Sequence, residues 1–187
     1  MFIDIKEKEM NTYKDLCVTI EKSSKIGIKS ILVEEKMSET EQSFKDVLDM
    51  CFLDHIKERY ENKCTTEGFV LGNSVEILKR SDVEFPIESL KIHYTSYIHW
   101  KMKVCCPHVD SIIECKVLSK NKIGILGSLK EKSPLVVLVP YDLAETDEER
   151  EMIENASKDD IIPVKIIGKK YEQNDKQIVV LAKCNAM

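Results

Sequence analysis

Apolar residues recur in two rhythms along this chain. Phe44, Val47, Leu48, Cys51, Phe52, Ile56 and Tyr60 fall at helical spacing, which predicts one amphipathic helix over about 40–61. Ser38 and Glu41 stand three apart ahead of it and offer a capping box. Lys57, Arg59 and Lys63 gather at its end, where the helix dipole favours cations. Before the helix, residues 15–20 and 28–34 are rich in β-formers and are separated by the turn-prone Ser23-Ser24, which predicts two strands.

Beyond the helix the period changes to two. Residues 68–72, 75–79 and 92–100 read as strands, and Pro107 punctuates the series. Five compact strand patterns follow, at 111–118, 122–128, 134–140, 160–167 and 177–183, with a longer polar connection at 141–159 between the third and the fourth. That spacing outlines an OB-fold barrel. The predicted fold class is therefore an α+β N-terminal domain, residues 1–105, with one main helix on an antiparallel sheet, followed by an all-β five-stranded OB-fold barrel, residues 106–187.

Charge narrows the function. The 187 residues carry 28 Lys and Arg against 33 Asp and Glu, a net of -5, which argues against a protein that packages duplex by wholesale phosphate neutralisation. Only Arg59, Arg80 and Arg150 are arginines, so the chain is poor in the planar fork that reads guanine edges. Backbone contact is the expected mode for any nucleic acid. From 105 onward there are 12 basic and 14 acidic residues, but nine of the acids lie in 142–160. Without that stretch the barrel has ten basic residues against five acidic, a balance of +5. Lys120, Lys122, Lys130 and Lys132 cluster around the second barrel strand, and Lys169, Lys170 and Lys176 flank the turn between the fourth and fifth. These are the parts of an OB-fold that contact oligonucleotides. Tyr141 and Tyr171 are the only aromatic residues in that half, so binding by base stacking should be modest and sequence-tolerant.

Catalytic chemistry finds little support. Cys105, Cys106, His108 and Cys115 form one tight cluster without the second ligand pair of a structural zinc site, and apolar packing is the expected role. Pairing Cys106 with His108 or His99 as nucleophile and base lacks an oxyanion-hole loop. His55 reads as surface, and Asp159-Asp160 as a solvated loop. No P-loop, GxGxxG or HExxH occurs, and neither metal nor cofactor is expected. Seven cysteines without a CxxC suit a reducing compartment. Acidic residues in Met1-Phe2-Ile3-Asp4-Ile5-Lys6-Glu7, and aliphatic runs no longer than Leu135 to Val139, predict neither signal peptide nor membrane span. The chain is expected to stay inside the cell, in nucleus or cytoplasm.

One ordered series of motifs goes further. The helix runs into Asn62-Lys63-Cys64-Thr65-Thr66-Glu67-Gly68-Phe69-Val70, then Val75-Glu76-Ile77-Leu78-Lys79-Arg80, then Ile92-His93-Tyr94-Thr95-Ser96-Tyr97. Cys106-Pro107-His108-Val109-Asp110-Ser111-Ile112-Ile113 and Lys122-Ile123-Gly124-Ile125 complete it. This order resembles the seventh-subunit (stalk) family of multi-subunit DNA-directed RNA polymerases, its archaeal members among them. The resemblance covers about 44–140 well and the last two strands loosely. It departs from the family at Pro107-His108-Val109-Asp110, which lacks the family's glycine after the proline. The Lys/Ile-rich character is similar to stalk subunits of large cytoplasmic DNA viruses, which would add a viral factory and virion to the expected locations.

The resemblance implies a non-catalytic subunit with a tip domain that docks on the polymerase core and a barrel that reaches nascent single-stranded RNA. Thr65, Thr66, Glu67, Gly68 and Phe69 match the family's core-docking loop. Lys120, Lys122, Lys130, Lys132, Lys169, Lys170, Tyr171 and Lys176 are the matching RNA-side positions. The expected partners are polymerase core subunits and RNA, with no membrane, and a stalk partner is not assumed. A stand-alone, translation-factor-like RNA-binding protein, a structural adaptor using 142–160 as its epitope, and a small thiol hydrolase stay as alternatives.

Overall fold

The computed structural model describes residues 13–84, 93–129 and 133–185. They form an α+β protein with a closed five-stranded β-barrel, a separate sheet and three α-helices. The chain divides into two compact units. One gathers the described parts of 1–18, 63–69 and 105–187, and the other holds 19–62 and 70–104.

The separate sheet opens with β1 (Cys17–Lys29), followed by helices α1 (Ser30–Glu39) and α2 (Phe44–Tyr60). Strands β2 (Cys64–Thr65), β3 (Gly68–Val70), β4 (Glu76–Arg80) and β5 (His93–Cys105) complete it, in the order β1-β5-β3-β2 with β4 also paired to β5. β5 alternates cleanly, burying Ser96, Ile98, Trp100, Met102 and Val104. Against these lie Val47, Leu48, Cys51, Phe52 and Ile56 of α2, the stripe its periodicity predicts.

Three sequence expectations are corrected here. Residues 30–39 are helical, so no strand spans 28–34. The run Ile31-Leu32-Val33 reads as β, but only Val33 is buried, and Met37, one helical turn on, packs on the same core. That i,i+4 pairing, together with Glu34, Glu35 and Lys36, favours the helix. Ser23-Ser24 makes no turn, because β1 runs through it. The cap of α2 is Ser43, whose Oγ accepts from the Asp46 N–H at 3.3 Å, whereas Ser38 donates to the Glu35 carbonyl at the end of α1.

The barrel strands are β6 (Ile112–Lys120), β7 (Gly124–Leu129), β8 (Leu135–Pro140), β9 (Ile161–Lys170) and β10 (Ile178–Cys184). The closed order is β10-β8-β7-β6-β9, with β9 returning to β10. β8 and β10 run parallel, and the other four pairings are antiparallel. Ile113, Cys115 and Val117, Leu135, Val137 and Val139, Val164 and Ile166, and Ile178 and Val180 point into a sealed aliphatic interior. Inside, Gly127 makes room for the Cys115 thiol: a Cβ there would lie 2.3 Å from Cys115 Sγ.

The connection between β8 and β9 is more ordered than a polar excursion. A 3-10 turn at Tyr141–Leu143 leads to α3 (Asp147–Asn155). Thr146 and Glu149 form a reciprocal capping box, and the Glu149 carboxylate also accepts from the Glu145 N–H at 2.7 Å. Ala144, Ile153 and Ala156 are buried, so this acid-rich segment belongs to the barrel's hydrophobic structure.

Candidate docking and nucleic-acid surfaces

The hairpin of β2 and β3 carries the five docking candidates. Thr65 pairs with Gly68 across it, and Thr66 and Glu67 form the tip. The Thr65 hydroxyl donates to the Glu67 carboxylate at 2.8 Å and accepts from the Glu67 N–H at 3.3 Å, which fixes the tight turn. Gly68 has φ 135, a conformation that side chains with a Cβ rarely adopt. Phe69 is only 8% exposed and Gly68 is buried, so Thr66 is the outermost of the five.

This hairpin is seated on the turn between β9 and β10. The Cys64 N–H donates to the Asp175 carbonyl at 2.7 Å, and the Asn174 N–H donates back to the Cys64 carbonyl at 2.9 Å. The Tyr171 hydroxyl donates to the Thr66 carbonyl at 3.4 Å. The turn holds itself through the Asp175 carboxylate, which accepts from the Glu172 N–H at 2.7 Å. Candidate docking residues and candidate RNA-side residues therefore meet in one place, which their separation in sequence does not reveal.

The basic candidates do not form a single patch. Lys120 ends β6 and donates to the Glu154 carbonyl at 2.7 Å, at the C-terminal turn of α3 where the dipole favours a cation. Lys122 is exposed in the β6–β7 turn. Lys169 donates to the Pro107 carbonyl and to Cys106 Sγ, each at 3.0 Å. Lys170 and Lys176 are exposed at the β9–β10 end. Tyr171 is half-buried, and burial raises its phenol above the usual value. Lys130 and Lys132 lie outside the described residues.

Nor does the acidic connection leave the barrel's positive charge free. Lys183 pairs with Glu145 at 2.8 Å and Lys116 with Asp159 at 2.8 Å. Both carboxyls are held below their usual range by the hydrogen bond to that lysine. Lys165 is paired to Asp110 at 2.6 Å. The +5 balance counted by setting 142–160 aside is thus partly neutralised by the segment set aside.

Five of the seven thiols, at Cys51, Cys64, Cys105, Cys115 and Cys184, are buried. Cys105 is fully buried, and desolvation, with Cys17 hydrogen-bonded beside it and Cys106 and Cys64 nearby, pushes its thiol far up. Burial raises Cys115 to about 12, and Cys64 and Cys184 to about 11. Cys106 Sγ accepts from the Lys169 ammonium, and His108 is exposed. Among the described residues, no group of three His, Cys, Asp or Glu is arranged to hold a metal. None of their helices is long and apolar enough to cross a membrane.

One surface escapes the sequence-based list. Leu126 of β7 pairs with Leu138 of β8, and Leu138 with Leu181 of β10, all on the outside of the barrel. Each is 37–38% exposed. The signal was present: Leu135 to Val139 and Ile178 to Leu181 are apolar in both phases, the mark of a strand with both faces covered. A scan against protein-family models and a search of curated proteins return no match to this chain.

Proposed function

We propose that this chain is a non-catalytic subunit of a multi-subunit DNA-directed RNA polymerase, docking on the core through the hairpin tip and bringing an OB-type barrel beside nascent RNA. The observation that carries the reading is the chain order: amphipathic helix, hairpin, long strand, closed barrel. The hairpin is anchored at its base, with Thr66 exposed at its tip. A docking wedge needs that rigidity, because ordering a loose loop on binding would cost affinity.

Several features support the OB assignment. The barrel closes in the order first, second, third, fifth, fourth; its third and fifth strands are parallel; and a helix stands between the third and fourth. On this reading RNA contact is electrostatic, through Lys122 at one turn and Lys170 and Lys176 at the other. Because Tyr171 is tied to the hairpin, stacking contributes little.

The test is co-elution at low salt with the tagged largest subunit of the polymerase made in the same cells. The wild-type chain should co-elute, and Thr66→Arg, which changes only the exposed tip, should not. Failure of the folded wild-type chain to co-elute would sink the docking claim. A stand-alone RNA-binding protein is the rival. It would bind short single-stranded RNA tightly and would be indifferent to Thr66→Arg.

A further inference from the structure

We propose that Cys106 and Lys169 are a paired oxidation site, at which hydrogen peroxide places one oxygen atom between sulfur and nitrogen and so bridges the two side chains reversibly. The Lys169 ammonium donates to Cys106 Sγ at 3.0 Å and to the Pro107 carbonyl at 3.0 Å. Two acceptors on one head group hold it against the sulfur, although the residue as a whole is exposed. The barrel explains the placement. Lys169 pairs with Val180 across β9 and β10, and the Val180 side chain is fully buried. Cross-strand partners share a face, so the lysine stem leaves from the inner side of the barrel wall. It starts one residue before the end of β9 and reaches the chain where it enters the barrel, at 106–107.

The surroundings select this pair. Oxidants act on the thiols they can reach. Cys17 and Cys106 are partly exposed, and the other five cysteines are buried. Cys17 lies against Cys105, to which it is hydrogen-bonded, whereas Cys106 Sγ faces an amine. Cys105, next to Cys106 in the chain, is fully buried, so a disulfide between the two would have to draw a core thiol out. The bridge removes the positive charge of Lys169 and fastens the entry of the barrel to β9. It needs no part of the polymerase reading, whose RNA contacts leave Lys169 unused.

Two molecules of peroxide balance the reaction. The Cys106 sulfur attacks the first: an S–O bond forms, the O–O bond breaks, and a sulfenic acid and water result. The second exchanges the sulfenic hydroxyl for a hydroperoxyl group and releases water. Lys169, having lost a proton to solvent, attacks the sulfur-bound oxygen as a neutral amine. An N–O bond forms, the O–O bond breaks, and the departing hydroxide takes a proton from nitrogen and leaves as water. The S–O–NH product is four electrons more oxidised than thiol and amine, and those four electrons have reduced the two peroxides.

The full chain, purified in its reduced form, is treated with hydrogen peroxide and digested without reductant for mass spectrometry. The expected product is the peptides carrying residues 106 and 169 joined together, exceeding their summed mass by one oxygen less two hydrogens, and parted by dithiothreitol. Lys169→Arg keeps the charge but cannot lose a proton to become the nucleophile, so the joined product should fall about tenfold or more. Cys106→Ser should abolish it. Lys165→Arg, at the lysine of β9 paired with Asp110, should leave the yield unchanged. Thermal melting checks that each variant is folded. Sulfinic or sulfonic acid alone at Cys106, a disulfide from Cys106, joining through a different lysine, or no product at all would overturn the inference. So would an undiminished yield from Lys169→Arg.

Discussion

The Cys64 N–H donates to the Asp175 carbonyl across 2.7 Å, joining residues 111 positions apart in sequence. The bond ties the base of the β2–β3 hairpin to the turn between β9 and β10. Tip and turn are therefore one mechanical piece. Asp175→Ala removes the carboxylate that holds the Glu172 N–H, and the turn should loosen. Because that acceptor is charged, stability should fall by about 1.5–3 kcal/mol. The Cys64 amide should exchange with solvent deuterium markedly faster. Unchanged protection of that amide would separate hairpin from turn.

Gly127→Ala should destabilise the barrel by about 1–3 kcal/mol, because the new methyl would compete with the Cys115 thiol and the Lys116 carbonyl inside a packed interior. Denaturant unfolding measures it. A wild-type midpoint would mean the interior has room that the geometry denies.

Thr146→Ala should cost about 1 kcal/mol by removing the side-chain half of the α3 capping box. If 142–160 were a loosely attached epitope, the same change would leave global stability untouched.

Alkaline pH should destabilise the fold. Burial raises Cys64 and Cys184 from an ordinary value near 9 to about 11, and Cys115 to about 12. Above pH 9 the unfolded chain releases these protons while the folded chain keeps them. Each thiol's contribution is thus complete below about 9 and lost as pH climbs through its folded value. Melting temperatures should fall above pH 9. At pH 8, a thiol reagent should label only the partly exposed Cys17 and Cys106 quickly. Rapid labelling of all seven would contradict the burial.

The barrel strands were legible because each is a short, strongly apolar run bounded by turn residues. The stripe of α2 was legible because Val47, Leu48, Cys51, Phe52 and Ile56 serve one buried face. Residues 30–39 were misread because Ile31-Leu32-Val33 satisfies a strand pattern locally, and only packing of Val33 and Met37 on the core decides for helix. In 141–159 the charge concealed structure: three buried residues, Ala144, Ile153 and Ala156, organise a segment with eight acids among its nineteen positions. The seat of the hairpin was out of reach, since backbone bonds between Cys64 and residues 174 and 175 leave no trace in side-chain identity.

The polymerase assignment is tested most directly by quantitative mass spectrometry of what co-purifies, at low salt, with the tagged full chain from cells that naturally make it. The largest polymerase subunits should be present in near-stoichiometric amount, and should be lost on Thr66→Arg while the chain stays folded. Recovery of the folded wild-type chain without polymerase subunits would contradict it.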